Sequence, residues 1–106
     1  MLLFVLLKRV LRLRVMSTLN SNHSTAHFSV TARAEPGVLP RVLEYFAKRG
    51  LTPDAFSANR NDAVLTIDIQ MIGMDLELAE YIGRCLDRIF EVDNVMVSET
   101  RYADVA

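Results

Sequence analysis

The side chains able to do covalent, acid–base or metal chemistry are few in this chain of 106 residues, and their spacing keeps them apart. The single cysteine, Cys85, falls within an apolar helical repeat, where a thiol acts as an inert core filler. One cysteine permits neither an internal disulfide nor a multi-cysteine zinc site. His23 lies in a polar tail and His27 at the start of a strand, each without a carboxylate or nucleophile at catalytic spacing. The Asp and Glu residues fall on solvent-facing positions, and Met71 and Met74 flank a loop as core fillers. Asn22-His23-Ser24 matches a glycosylation acceptor, but without a secretory route the match carries no weight. No catalytic residue, metal ligand or cofactor is expected.

One stretch has the local chemistry of a ligand site: Ala34 to Gly50, AEPGVLPRVLEYFAKRG, and in particular its first turn. A glycine at a helix N-terminus leaves the backbone open to close approach. The N–H groups of Gly37, Val38 and Leu39 are expected to point outward without helical partners, with the positive end of the helix dipole behind them. That arrangement suits a carboxylate. The same Pro36-Gly37 pair is equally compatible with a plain turn, and spacing alone does not separate the two.

The elements that must hold this turn are legible in hydrophobic period. His27 to Arg33 alternates, with Phe28, Val30 and Ala32 on one face, as a half-buried strand does. A helix follows with Val38, Leu39, Val42, Leu43, Phe46 and Ala47 on its apolar stripe; Glu44 and Lys48 stand four apart in the favourable order. Pro40 is tolerated in the first turn, where its missing N–H has no helical partner. Gly50 marks a left-handed stop. Thr52 to Arg60 reads as a weaker strand with Phe56 and Ala58 inward, and Asn59-Arg60-Asn61-Asp62 as a tight turn. Ala63 to Met71 is the clearest strand, with Leu65, Ile67, Ile69 and Met71 inward. Asp75 is placed to cap a second helix running to Phe90, whose stripe is Leu78, Ile82, Cys85, Leu86 and Ile89. Val95 to Thr100 is the last strand.

The order β-α-β-β-α-β over residues 27–101 predicts an α+β, ferredoxin-like domain: a four-stranded antiparallel sheet with two helices on one face and the first and third strands central. Such a fold hosts unrelated functions. An RNA-recognition surface needs aromatic residues on the open face of the central strands, and that face here offers His27, Ser29, Thr31, Arg33, Val64, Thr66, Asp68 and Gln70. A copper-carrying module needs two cysteines in the first loop, which is Ala34-Glu35-Pro36-Gly37.

Residues 1–26 stand apart from this domain. Met1 to Met16 is apolar and basic, and its uncharged run is too short to span a bilayer, so stable membrane insertion is not expected. Its charges follow the apolar run, which is the wrong order for a secretory signal. Three readings are open: an upstream extension with Met16 as the start, a basic amphipathic helix, or an organelle presequence. Ser17 to Ala26 reads as a linker and 102–106 as a tail. From Glu35 onward there are seven basic against thirteen acidic residues, a net charge of −6, which argues against nucleic acid as partner. A reducing, cytoplasmic setting suits the one free thiol.

The run HFSVTARAEPGVLPRVLEYFAKRGLTPDAF resembles the opening of an ACT domain, a small regulatory amino-acid-binding module, through Pro36 to Leu39, Arg41, Val42, Phe46, Arg49 and Gly50. Within that family it is most similar to the short regulatory small subunit of acetolactate synthase, over His27 to about Glu99. The resemblance implies a non-catalytic subunit that forms a homodimer through the ACT domain. It further implies binding of a branched-chain amino acid, valine foremost, between two such domains, and regulation of a thiamine-diphosphate-dependent synthase large subunit. The family's first-loop glycine is Gly37. Its two usual asparagines correspond to Ala34 and Thr52; Thr52 retains a hydrogen-bond donor, Ala34 only its backbone. A free-standing amino-acid sensor serving another enzyme is the alternative.

Overall fold

The structure, a computed structural model, describes residues 24–101. The expectations placed on residues 1–23 and 102–106 lie outside these. The elements are β1 (Ser24–Arg33), α1 (Val38–Ala47), β2 (Ala55–Asn61), β3 (Val64–Ile72), α2 (Leu76–Asp87) and β4 (Val92–Arg101). They form one antiparallel sheet in the order β2-β3-β1-β4, so the two strands with the cleanest alternation are the central ones. The predicted ferredoxin-like plan is the observed one.

The strand ends differ from the alternation pattern because ladder partners extend them. β1 begins at Ser24, not His27: Thr25 and Ala26 pair with Ile72 and Met71 on one side and with Thr100 and Glu99 on the other. Two neighbours outweigh the weak strand preference of serine and alanine. β4 begins at Val92, not Val95, and a register shift beside Thr31 and Ala32 leaves Asp93 unopposed, a bulge in the edge strand. β2 runs on through Asn61, so the hairpin turn is Asp62-Ala63 and not residues 59–62; Asp62 takes the positive φ of 57° that the turn requires.

The core lies between the sheet and the helices. From β1 it takes Phe28 and Val30, from β3 Ile67 and Ile69, and from α1 Val38, Val42 and Phe46. The α1 stripe is narrower than expected: Leu39 is half-buried, while Leu43 and Ala47 are exposed. Gly50 has φ +69°, the left-handed stop its position suggests. At the start of α2 the Asp75 carboxylate accepts the Leu78 N–H at 2.8 Å, as a capping residue does.

The phase of α2 is a correction. Its buried row is Ala79, Ile82, Gly83 and Leu86, not Leu78 and Cys85: Leu78 is exposed and Cys85 only half-buried. The cause is a close approach of helix to sheet. A β-carbon at Gly83 would lie 2.6 Å from Cγ2 of Val97 on β4, so the smallest residues face the strand and the bulkier ones rotate to the flank. There the Arg49 guanidinium lies 5.1 Å from the Tyr81 ring centroid, and its Nη2 is 3.8 Å from Cys85 Sγ. Gly83→Leu is therefore expected to destabilise the domain by about 1–3 kcal/mol through overpacking, despite the better helix propensity of leucine. Urea denaturation of the variant measures this, and an unchanged midpoint would show that the helix can shift outward freely.

Candidate functional site

The first loop is held from both ends by backbone hydrogen bonds. The Arg33 N–H donates to the Glu91 carbonyl and the Ala34 N–H to the Ala63 carbonyl, each at 2.9 Å. The Glu35 N–H donates to the Arg33 carbonyl at 2.9 Å and the Val38 N–H to the Glu35 carbonyl at 3.2 Å, which closes the turn onto α1. A side-chain ion pair, Arg41 Nη1 to Glu91 Oε1 at 2.9 Å, joins the first turn of α1 to the connection before β4. The loop thus sits on a rigid frame made of the ends of β1, β3 and β4.

These bonds correct one expectation. Of the three N–H groups expected to point outward, that of Val38 is spent on Glu35, and its side chain is buried in the core. The Gly37 and Leu39 N–H groups have no acceptor among the described residues. Gly37 is the N-cap of α1, with φ −83° and no side-chain cap. A β-carbon there would meet nothing within 4 Å. Neither backbone conformation nor packing within this chain requires glycine at this position.

Beside the loop lies a groove of about 320 Å³ between the start of α1 and the helix-facing side of β2. Ala34, Pro36 and Leu39 form one wall, while Ala58 and Leu65 come from the sheet. Two charged residues complete the lining, Glu35 on the loop and Arg60 on β2. Arg60 Nε donates to the Asp62 carbonyl at 3.0 Å, which fixes the guanidinium against the hairpin turn. Neither Glu35 nor Arg60 is in an ion pair among the described residues.

Of the sequence-predicted site residues, Ala34 and Leu39 line this groove, Gly37 adjoins it, and Val38 and the exposed Thr52 lie outside it. With the Ala34 N–H already donated to Ala63, the carbonyl is the group it can still offer. Arg60 and Glu35 were not singled out in the sequence. The signal for Arg60 was available, since Phe56, Ala58 and Arg60 share one face by the period of two, but the strand was expected to end there.

The open face of the sheet is polar at its centre. His27 faces Gln70 and Ser29 faces Asp68 across β1 and β3, and no aromatic residue stands among those four. Among the described residues no helix is long and apolar enough to cross a membrane.

The sequence of residues 18–103 matches the model of a family described as an ACT-like domain. Comparison with curated proteins finds no match. Among solved structures, the fold is similar to the ACT domain from the GTP pyrophosphokinase of Chlorobium tepidum, with TM-score 0.61 at 12% identity, covering 70% of this chain and 96% of that one. It is similar to the C-terminal domain of the MgtC protein from Mycobacterium tuberculosis, with TM-score 0.59 at 15% identity, covering 78% and 94%. It is also similar to part of a homoserine dehydrogenase from Thiobacillus denitrificans, with TM-score 0.55 at 18% identity, covering 81% of this chain and 19% of that one. At these identities the likeness is one of fold.

Proposed function

Because the chain belongs to the ACT-like domain family, its residues 18–103 matching the family model, we propose that it is a non-catalytic regulatory module. In this reading it binds a small aliphatic amino acid such as valine in the groove beside Gly37. One observation carries the proposal: Gly37 is a glycine that neither its own φ of −83° nor any neighbouring atom within 4 Å requires, and it stands between Pro36 and Leu39, which line a largely apolar groove of amino-acid size. A position kept clear of side chain for no reason internal to the fold suits the approach of something external. The unpaired N–H groups of Gly37 and Leu39 are suited to a carboxylate. Ala34 offers no side-chain donor and Thr52 lies outside the groove, so recognition falls more heavily on backbone and on the groove walls. Calorimetric titration with the twenty amino acids tests the reading, with heat expected for aliphatic ones; silence for all of them removes it.

The module acts as a homodimer that serves a larger enzyme, with the large subunit of a thiamine-diphosphate-dependent acetolactate synthase as the partner suggested by the sequence resemblance. Two physical arguments favour pairing. A sheet of four strands with two helices buries little surface alone, and β2 is an edge strand whose residues are nearly all exposed. Along an antiparallel strand, successive N–H groups point alternately toward the inner neighbour and outward. One of the adjoining substitutions Ser57→Pro and Ala58→Pro is therefore expected to abolish association while the monomer stays folded, and the other to destabilise the monomer. Sedimentation at micromolar concentration distinguishes them; a wild-type chain that sediments as a monomer, and does not associate with the synthase subunit, defeats this part of the reading. Retained amino-acid binding by such a monomer would favour a free-standing sensor instead.

A further inference from the structure

We propose that Glu35 and Arg60 read the two charges of a free amino acid, the ammonium at Glu35 and the carboxylate at Arg60, with the aliphatic side chain lying on Leu39, Ala58 and Leu65. The proposal rests on reading the groove as an amino-acid site. It adds a recognition device that neither the fold nor the sequence pattern of the first loop specifies.

The groove carries one acidic and one basic side chain, contributed by different elements, over walls that are otherwise apolar. Both side chains line the same groove, yet no ion pair joins them within 4 Å, and neither makes another ion pair among the described residues. Arg60 is held away by its own Nε, which donates to the Asp62 carbonyl at 3.0 Å. That bond leaves the terminal guanidinium nitrogens free and limits the freedom of the side chain, so less is lost when a carboxylate docks on them. Glu35 is fixed at its backbone by two hydrogen bonds, its N–H to the Arg33 carbonyl and its carbonyl from the Val38 N–H. Its carboxylate has no partner among the described residues. A separated pair of opposite charges, with Arg60 held at its side chain and Glu35 at its backbone, is complementary to a zwitterion and mismatched to an anion or a cation alone.

Deletion of one ligand charge at a time separates these contacts. The full chain is titrated calorimetrically with L-valine, with 3-methylbutanoate, which lacks the ammonium, and with 2-methylpropan-1-amine, which lacks the carboxylate. Each truncated ligand is expected to bind the wild-type chain at least about tenfold more weakly than valine. In Arg60→Gln the difference between valine and the amine should shrink, what remains being the share of the carboxylate carried by the Gly37 and Leu39 N–H groups, and in Glu35→Gln the difference between valine and 3-methylbutanoate should close. Arg60→Lys and Glu35→Asp should each restore part of it. Thermal melts of the variants are expected to superimpose on the wild type, since both side chains are exposed. Wild-type binding of valine whose discrimination persists undiminished in both glutamine variants would overturn the assignment and leave the amino-acid site standing. Wild-type chain that binds neither valine, leucine nor isoleucine would overturn both.

Discussion

Phe46→Ala is expected to lower the unfolding free energy of the domain by about 3–5 kcal/mol, the cost of removing a buried aromatic and leaving a cavity. Phe46 is fully buried and meets Phe28 edge-to-face, with ring centroids 5.5 Å apart and an interplanar angle of 84°. It is the point where α1 is fastened to the centre of the sheet, because Phe28 lies on β1, which is paired on both sides. Natural domains have only about 5–15 kcal/mol in total, so the variant should be unfolded or nearly so at 37 °C. Urea denaturation followed by far-UV circular dichroism measures the loss. A cost below about 1 kcal/mol would mean that α1 repacks or is held by other contacts, and that Phe46 is not what fastens it to the sheet. The same substitution should remove ligand binding only as far as it removes folded protein, which makes it the control for the second result.

Gly37→Val is expected to weaken amino-acid binding by at least about a hundredfold, or ~2.7 kcal/mol, while stability falls by about 1 kcal/mol or less. The fold tolerates the change: φ is −83°, within the range of any residue, and the added β-carbon meets nothing within 4 Å. The small stability cost arises because valine is a poor N-cap. The binding cost is expected because a β-branched side chain would occupy the open space at Gly37 through which a ligand would approach the helix N-terminus. Gly37→Ser sharpens the contrast, since its β-carbon meets nothing within 4 Å and stability should be nearly unchanged, yet the side chain still obstructs the approach. Binding and melting measured on the same preparations decide the matter. Parallel losses of both return Pro36-Gly37 to a plain turn, and full binding by both variants removes the site from this loop.

How much of this was legible depends on how far apart the interacting residues stand. The alternation in His27–Arg33 and Ala63–Met71 identifies two strands, and the observed order makes them the central pair. The ends of β1 and β4 were missed because Ser24, Ala26 and Asn94 owe their strand state to partners across the ladder and not to their own preferences. On and just beyond α2, Ile82, Leu86 and Ile89 are buried as their period predicts, but Leu78 and Cys85 were assigned inward in place of Ala79 and Gly83, because a period of 3.6 does not show which small residue must face a strand. Gly83 looked like a weak point in a helix; against Val97 it is the contact that sets the phase. Half of the groove was legible in Ala34 and Leu39, and the half that supplies Arg60 was not.

By itself the sequence determined what is encoded within a few residues: the βαββαβ order, the Asp75 cap, the Gly50 stop, the open N-terminus at Gly37, and, in the run from Pro36 to Gly50, the resemblance to the ACT family. The tertiary structure decided everything that needs two distant segments in register. It spent the Ala34 N–H on Ala63, swung Cys85 to the flank beside Arg49, and brought Glu35 and Arg60 to one groove. The physical reason is that period and capping are local energies, summed along the chain, whereas the meeting of a loop with a strand is fixed by hydrogen-bond register across β1, β3 and β2, where a slip of one residue would turn Arg60 to the other face.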